Sequence, residues 1–316
     1  QSGIIDQAAA YRLFVSSVLK QTKGKQYDVV YASSSRLMTA TFGAFLARKF
    51  KARLVLDIRD LFVDTAKDVF PRSLYLVLLP VLRLMERFTF GKATHINVVS
   101  GGFTEYIRPF LKNCSFSVLT NGVDPEFSID DTSPQYGAVK RLLYAGNIGA
   151  GQGLEKIIPG LAKALGDRWE ILIIGAGGGT PALRNALSQE EVKNVIVKPP
   201  MKRAELIDEY KRATCLFVHL NDYRAFEKVL PSKLFEYAAT GKPILAGLKG
   251  FSANFTAEEI INAAVFTPCS VEEAMGSLKT LQLHDIDRTS FIDKHSRSSI
   301  TRELALHIVK QGVSKV

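Results

Sequence analysis

The 316-residue sequence has little of what several common classes of protein are built from. Its three cysteines, Cys114, Cys215 and Cys269, stand far apart with no Cys-x-x-Cys pair. That excludes a disulfide framework and a cysteine-based zinc site, and makes a reducing compartment the default. Five histidines are scattered, none at metal-ligand spacing from another. His219, closing an apolar run, reads as a buried or rim histidine. No apolar run reaches the ~20 residues that a bilayer-spanning helix needs. The longest, LYLVLLPVL at 74–82, is about half that and contains Pro80. No secretory signal opens the sequence, and no arginine-rich run or aromatic-basic motif supports nucleic-acid binding.

What the sequence does have is apolar mass and positive charge. Hydrophobic residues make up 47% and charged ones 23%, a globular composition with room for two medium domains. Lys and Arg number 41 against 31 Asp and Glu, a net charge of +10 dispersed along the chain. Such an excess calls for an anionic counterpart. With nucleic acid disfavoured, a phosphorylated substrate and an anionic membrane surface remain.

Short β-branched or apolar runs alternate with stretches of helical length. YDVVYAS (27–33), RLVLDI (53–58), HINVVS (95–100) and FSVLTN (116–121) form a first series of predicted strands. RLLYAG (141–146), EILIIG (170–175), NVIVKP (194–199), CLFVHL (215–220), PILAGL (243–248) and AAVFTP (263–268) form a second. The alternation predicts an α/β protein of two doubly wound parallel-sheet domains, with ligands in the cleft between them. The polar, acidic DPEFSIDDTSPQYGAVK (124–140) reads as a linker. The expected domains are 1–132 and 133–290, followed by a last segment at 291–316 that contains a helix over 291–312, FIDKHSRSSITRELALHIVKQG. The first series is short for a complete domain of this type.

Several stretches carry polar groups to strand ends. GNIGAGQG (146–153) joins a strand to the helix LEKIIPGLAKAL, and backbone amides at such a turn are a ready anion site. It lacks the register of a dinucleotide fingerprint, and a purely structural turn is the alternative. A second glycine-rich turn, GAGGGTP (175–181), follows the next strand. LVLDIRDLFVDT (54–65) presents Asp57, Arg59, Asp60 and Asp64, either as a divalent-metal site or, more simply, with Arg59 neutralising Asp57 or Asp60. PSKLFEYAATGKPIL (231–245) reads as a short helix capped by Ser232 and ended by Gly241 and Pro243. Leu234, Phe235, Ala238 and Ala239 share its buried stripe, with Lys233, Glu236 and Thr240 on another face. That face is either solvated with one ion pair or suited to a ligand carrying an anion and hydroxyls. LYLVLLPVLRLMERF (74–88), followed by Lys92, Arg108 and Lys112, is either a buried helix or a surface resting on anionic lipid.

These motifs carry a resemblance. NGVDPEF (121–127) is similar to the strand-end signature of the retaining glycosyltransferases of family 4, which have the GT-B fold. GNIGAGQGLEKII resembles the phosphate loop that opens their donor domain. NVIVKPPMKRAELIDEYKRATCLFV (194–218) resembles their base-binding strand and following helix, and PSKLFEYAATGKPIL, the most specific match, their donor-sugar and ribose motif. The order is kept along the whole chain. The chain is most similar to the branch that adds amino sugars such as N-acetylfucosamine during bacterial O-antigen or capsule assembly. The resemblance implies two Rossmann-like domains, with a C-terminal helix crossing back to the N-terminal one. The family's first strand and its glycine-rich loop have no counterpart before Tyr27, so the N-terminal domain is expected to be incomplete at its start.

The resemblance further implies a transferase without metal or cofactor, peripheral on the cytoplasmic face of the bacterial cell membrane. It would move a sugar from a nucleotide diphosphate, expected to be a UDP-amino sugar, to a polyprenyl-diphosphate-linked glycan with retention. Donor contacts fall to Gly146, Asn147, Gly149, Gln152, Lys198, Pro200 (with Met201 beside it), Lys228, Ser232, Lys233, Leu234 and Glu236. Catalytic roles fall to Arg59, Asp60 and Lys228. Glu236 takes the ribose hydroxyls, and Lys228, Lys233 and Arg224 with loop amides neutralise the diphosphate. The sequence departs from the pattern in three places. Asn147 and Gln152 stand where the family commonly has an arginine and a lysine. Lys228 replaces the first of two glutamates, and Arg59 followed by Asp60 replaces a frequent histidine. Two other readings stay open: a sugar-nucleotide 2-epimerase, which needs acids and histidines around the sugar, and a catalytically silent nucleotide-sugar-binding partner subunit.

Overall fold

The computed structural model describes residues 4–34, 36–69, 71–127 and 139–313. The chain divides into two compact units, one of residues up to 120 together with those from 301 on, the other of 121–300. Most of the segment read as a linker, 128–138, lies outside the described residues.

The first unit runs α1 (Ile4–Gln21), β1 (Val29–Ser34), α2 (Leu37–Phe50), β2 (Arg53–Ile58), α3 (Phe62–Val69), α4 (Arg72–Phe90), β3 (His95–Val98), α5 (Thr104–Ile107) and β4 (Ser115–Val118). Its four strands are parallel in the order β1-β2-β3-β4. Ser33, Asp57, Asn97 and Ser117 are register neighbours, a polar row across the whole sheet. Asp57 is fully buried, and a buried carboxylate must be met by donors. Tyr31 and Ser33 donate their hydroxyls to it (3.1 and 2.7 Å), Asn97 its side-chain amide (2.8 Å) and Arg59 its Nε–H (3.1 Å). Asn97 Oδ1 in turn accepts from Ser117 Oγ and the Leu119 N–H. A one-residue slip in any strand would break this row, so it fixes the register.

The buried-helix alternative for 74–88 does not hold. In α4 only Glu86, Thr89 and Phe90 are buried. Leu74, Leu76, Val77, Val81 and Leu84 are exposed, with Val77 at 75%.

The second unit runs β5 (Lys140–Ala145), α6 (Leu154–Leu165), β6 (Trp169–Ile174), α7 (Thr180–Gln189), β7 (Val195–Lys198), α8 (Arg203–Arg212) and β8 (Cys215–His219). It continues with α9 (Lys233–Ala239), β9 (Ile244–Gly247), α10 (Phe251–Glu259), β10 (Ala263–Phe266), α11 (Val271–Thr280) and α12 (Thr289–Lys294). The strand order is β10-β9-β8-β5-β6-β7. The chain enters at the middle, fills one half of the sheet and then returns to build the other. That puts a topological switch point between β5 and β8, where ligands of open α/β sheets bind beyond the strand C-termini.

Alternate residues of each strand serve two cores, as the period of two requires. Leu143, Ala145, Leu172, Ile174, Leu216 and Val218 face α8, α9 and α12 on one side. Leu142, Tyr144, Ile171, Ile173, Cys215 and Phe217 face α6, α7 and α11 on the other. Both faces are dry, which is why these strands read as continuous apolar runs.

The single helix expected over 291–312 is two. α12 ends at Lys294, and α13 (Arg297–Val313) starts afresh. Between them the backbone turns outward to pair with the NGVDPEF segment, Val123 N–H donating to His295 O (2.8 Å) and Arg297 N–H to Val123 O (2.9 Å). Arg297 and Arg203 both donate to the Asp124 carboxylate, and Arg203 lies over the Phe127 ring. In the first unit, the later part of α13 lays His307 on the buried His95 ring, centroids 4.6 Å apart.

The two glycine-rich turns extend the sheet past its strands. Gly146 N–H donates to Ile174 O, Ile148 N–H to Ala176 O and Gly179 N–H to Ile148 O, at 2.8–3.0 Å. The turns lie so close that a β-carbon at Gly175 would stand 1.9 Å from the Gly146 carbonyl oxygen, and one at Gly177 2.3 Å from that of Ile148. His219 holds the first turn from behind. Its Nδ1 lies 2.6 Å from Gln152 O, and its Nε2 3.0 Å from the Cys269 N–H. A carbonyl only accepts and an amide N–H only donates, so the ring is the neutral Nδ1–H tautomer. Burial pushes its pKa down to about 4, in keeping with that state. Asn221 adds a second tie, donating its side chain to Ala150 O and its backbone N–H to Gly151 O (both 2.8 Å).

Two predictions follow from this packing. Gly175→Ala places a methyl against backbone that has nowhere to go, and it should lower unfolding stability by roughly 2–3 kcal/mol in urea titrations. The control Gly276→Ala, in the interior of α11 with nothing within 4 Å of the new carbon, should instead raise stability, by about 0.5–1 kcal/mol. For His219 the folded pKa lies below the unfolded one. Its stabilisation is therefore whole above the ordinary histidine value of 6.5 and is lost as pH falls toward about 4. The loss should approach roughly 3 kcal/mol, and the difference between wild type and His219→Asn in urea midpoint should shrink across that window.

Candidate functional site

The second unit brings four of the candidate donor residues, Gly146, Asn147, Pro200 and Lys233, to one cavity at the C-terminal ends of β5 and β6. There a cavity of about 270 Å³ is lined by Ala145, Gly146 and Asn147 from the first turn, Ile174, Gly175 and Ala176 from the second, Pro200, Met201 and Leu206 after β7, and Lys233 of α9. The first two groups are brought together by the zipped turns. The apolar wall of Ile174, Met201 and Leu206 follows from strand and helix ends that are half core and half open.

α9 supplies the charge. It is seven residues long, and its Leu234, Phe235, Tyr237, Ala238 and Ala239 are all buried. Lys233 and Glu236 sit one turn apart, and Lys233 Nζ donates to Glu236 Oε2 at 2.8 Å. The ion pair thus exists, and its lysine forms part of a cavity wall rather than a plain solvated face. Ser232 occupies the cap position without making a side-chain cap bond. Thr240 is buried, its hydroxyl donated to Tyr237 O (2.7 Å), so it does not share the polar face. Leu234 belongs to the core, and its N–H is spent on Pro231 O.

The first turn is bonded to itself. Gln152 Oε1 accepts from the Asn147 side-chain amide (2.9 Å) and from the Gly149 N–H (3.2 Å). The Gln152 N–H donates to Gly149 O (3.0 Å), and Tyr144 donates its hydroxyl to Asn147 O (2.6 Å). With the Gly146 and Ile148 amides given to the second turn, four of the N–H groups expected to meet a phosphate have internal partners. Three of these bonds are backbone to backbone, two of them set by the close packing of the two turns, and the fourth goes to the Gln152 side chain.

Lys198 ends β7 and donates to Glu209 Oε1 (2.8 Å), while Glu209 Oε2 pairs with Arg141. It does not line the cavity, whereas Pro200 and Met201 do. Arg224 and Lys228 begin and end a 3-10 helix, Arg224–Lys228, ahead of α9, with Lys228 half-buried.

In the first unit, the DIRD stretch resolves as an ion pair. Arg59 goes to Asp57, whose oxygens are occupied by the register network. Asp60 accepts from Thr65 Oγ1 (3.1 Å). Burial, opposed by that bond and aided by nearby Asp64, raises its pKa above the ordinary carboxylate value. It lines a small cavity of about 20 Å³ with Ser34, Arg36, Ile58 and Glu86. Among the described residues no three His, Cys, Asp or Glu side chains gather as a metal site.

Two residues of the site were not legible beforehand. Tyr237 exchanges hydrogen bonds with the Ala145 backbone, its oxygen accepting the N–H at 2.9 Å, and so props the cavity wall from the core side. Tyr210 of α8 packs edge-on against Tyr237, centroids 5.4 Å apart, with its ring fully buried. In sequence both are single tyrosines within predicted helical stretches, which carries no signal of a site.

The glycosyl transferases group 1 family model matches residues 128–296. A curated relative, a putative colanic acid biosynthesis glycosyl transferase (WcaI) of Escherichia coli K12, is 33% identical over 102 residues. That match takes in 32% of this chain and only 25% of the relative's length. Among solved structures, the sucrose-phosphate synthase of Thermosynechococcus elongatus superposes with a TM-score of 0.78 at 13% identity, covering 96% of this chain and 78% of that one. Anabaena Alr3699/HepE, determined with UDP, superposes with a TM-score of 0.71 at 14% identity, covering 94% and 82%. At such identities the structures speak to the fold alone, two parallel-sheet α/β units of the GT-B kind. The family model covers more than half of the chain, and on that ground the chain belongs to the glycosyl transferases group 1 family.

Proposed function

We propose that this protein transfers a sugar from a nucleotide diphosphate, a UDP-amino sugar, to a lipid-linked glycan in bacterial surface-polysaccharide synthesis, with retention at the anomeric carbon. The observation that carries the reading is the cavity beyond β5 and β6, with a paired lysine and glutamate at its wall in a sheet of this family. The apolar side formed by Pro200 and Met201 receives the base. Glu236 accepts from the ribose hydroxyls. Loss of the nucleoside diphosphate from an oxocarbenium-like centre builds negative charge on the departing phosphate. Lys233 neutralises it, with Lys228 and Arg224 as further cations of the same unit. Arg59 and Asp60 are assigned to the acceptor, and the raised pKa of Asp60 suits a group that exchanges a proton with a hydroxyl. No metal is needed, because lysines supply the charge a cation would bring.

The acceptor chemistry is supported by α4. Its exposed Leu74, Val77, Val81 and Leu84 recur at spacings of three and four and so form one stripe. Arg72, Arg83 and Arg87 accompany them, while the helix's one acid, Glu86, is buried. Apolar residues flanked by cations fit an anionic bilayer surface, and no helix among the described residues is long and apolar enough to cross one. A peripheral position on the cytoplasmic leaflet is part of the same proposal. A second reading, a silent nucleotide-sugar-binding subunit, is favoured by one observation: the Asn147–Gln152 pair occupies the turn where the family carries cations.

The separating experiment is transfer from a panel of UDP-, GDP- and ADP-sugars, preceded by thermal shift. A ligand at 100 times its Kd adds about 2.7 kcal/mol. Binding of a UDP-sugar followed by transfer with retained configuration is expected; binding without transfer to any lipid-linked acceptor selects the silent subunit. Turnover should survive excess EDTA, and loss of activity restored by magnesium or manganese sinks the metal-free mechanism. By calorimetry, Lys233→Ala should weaken UDP while leaving uridine nearly unchanged. Glu236→Ala should weaken both, by roughly 1.5–3 kcal/mol. Equal effects of both variants on both ligands would contradict the division of roles.

A further inference from the structure

The Tyr210 hydroxyl is buried and makes no hydrogen bond of ordinary geometry. A phenol so placed in a core costs desolvation that a phenylalanine would avoid, so its presence asks for a second state in which it is used. Its surroundings indicate which. The ring is locked between Tyr237 (5.4 Å, edge-on) and Phe127 (6.2 Å), which fixes where the oxygen points. Burial first, then the charge of the Glu236 carboxylate and a loose hydrogen bond to it, raise its pKa, so Glu236 stands beside the hydroxyl in a contact short of ordinary hydrogen-bond geometry. The phenol remains protonated at any physiological pH and is placed to donate to that neighbour.

Glu236, meanwhile, is committed on its other side. Without ligand, its Oε2 is held by Lys233 Nζ at 2.8 Å, and Lys233 lines the cavity. Arg203, whose pKa Glu236 also helps to raise, is already engaged by Asp124 and Glu126. If Lys233 turns to a phosphate, Glu236 loses its counter-ion in a half-buried position. A carboxylate left so would be costly unless another donor took over.

We infer that Tyr210 is a positioning residue of the donor site, its hydroxyl held in reserve to donate to Glu236 when a nucleoside diphosphate draws Lys233 away. This rests on the donor-site reading given above. Lys233 and Glu236 then serve each other in the empty site and serve the ligand in the filled one, and the phenol covers the exchange. Tyr210 touches neither ligand nor reacting atoms. Its action is on the orientation of the carboxylate that meets the ribose.

The test is Tyr210→Phe, which keeps both ring contacts and removes only the oxygen. The probe is UDP, measured by calorimetry on the full chain beside wild type and Glu236→Ala, with unfolding of the unliganded proteins followed by urea. The expected result is a Kd for UDP raised roughly five- to twentyfold, the scale of one hydrogen bond to a charged acceptor. Unliganded stability should be unchanged or higher, because the deleted hydroxyl made no hydrogen bond of ordinary geometry there. In turnover, the donor KM should rise with kcat held within about twofold. If Glu236→Ala weakens UDP while Tyr210→Phe binds it as wild type does, the inference is overturned and the donor site stands. If Tyr210→Phe loses unliganded stability along with affinity, the hydroxyl is a structural one and the inference is again overturned. If wild type binds no UDP, or Glu236→Ala leaves binding intact, the donor-site reading falls and takes the inference with it.

Discussion

The second unit depends on one close approach, backbone against backbone, where the turn after β6 lies on the turn after β5. Three N–H···O bonds join them, and no side chain fits between Gly175 and the Gly146 carbonyl. This contact carries the sheet beyond its strands and makes the cavity rim rigid. His219 and Asn221 secure the same turn from β8, across the topological switch point. The glycines are therefore required first by packing, and the anion-binding character expected of such turns is muted because much of their donor capacity is used internally.

Charge at the site consequently rests on side chains. Lys233 is set at the cavity wall by a helix whose remaining faces are buried, and Glu236 keeps it there. A pair one helical turn apart neutralises itself when no ligand is present, which avoids an unpaired charge in a partly desolvated place. Beneath it, Tyr237 braces Ala145, and Tyr210 braces Tyr237, so the polar wall is continuous with the core. The first unit uses the opposite arrangement. Its buried carboxylate, Asp57, is saturated by donors from neighbouring strands and serves the register, while Asp60 three residues later keeps a raised pKa beside a small cavity.

What the sequence by itself determined is the succession of elements. All ten predicted strands are present within three residues of their expected bounds, because a strand buried on both faces must be short, apolar and β-branched. That the chain is a glycosyl transferase of the GT-B fold was legible too, from the order of its motifs. Lys233 and Glu236 could be singled out because a charged pair beside a buried stripe in a short helix is a local feature. Tertiary structure alone decided the rest. Arg59 stood within two residues of two plausible carboxylates, Asp57 and Asp60, and only the strand register gave it to Asp57. The expected last helix broke at His295 and Ser296, because a segment more than 170 residues earlier claims that backbone. Helix α4 looked equally fit for a core or a surface, and its exposure depends on what packs over it, which periodicity does not state. The spare hydroxyl of Tyr210 became visible only when its neighbours were in place, for the pairing of a buried polar group is a property of three dimensions.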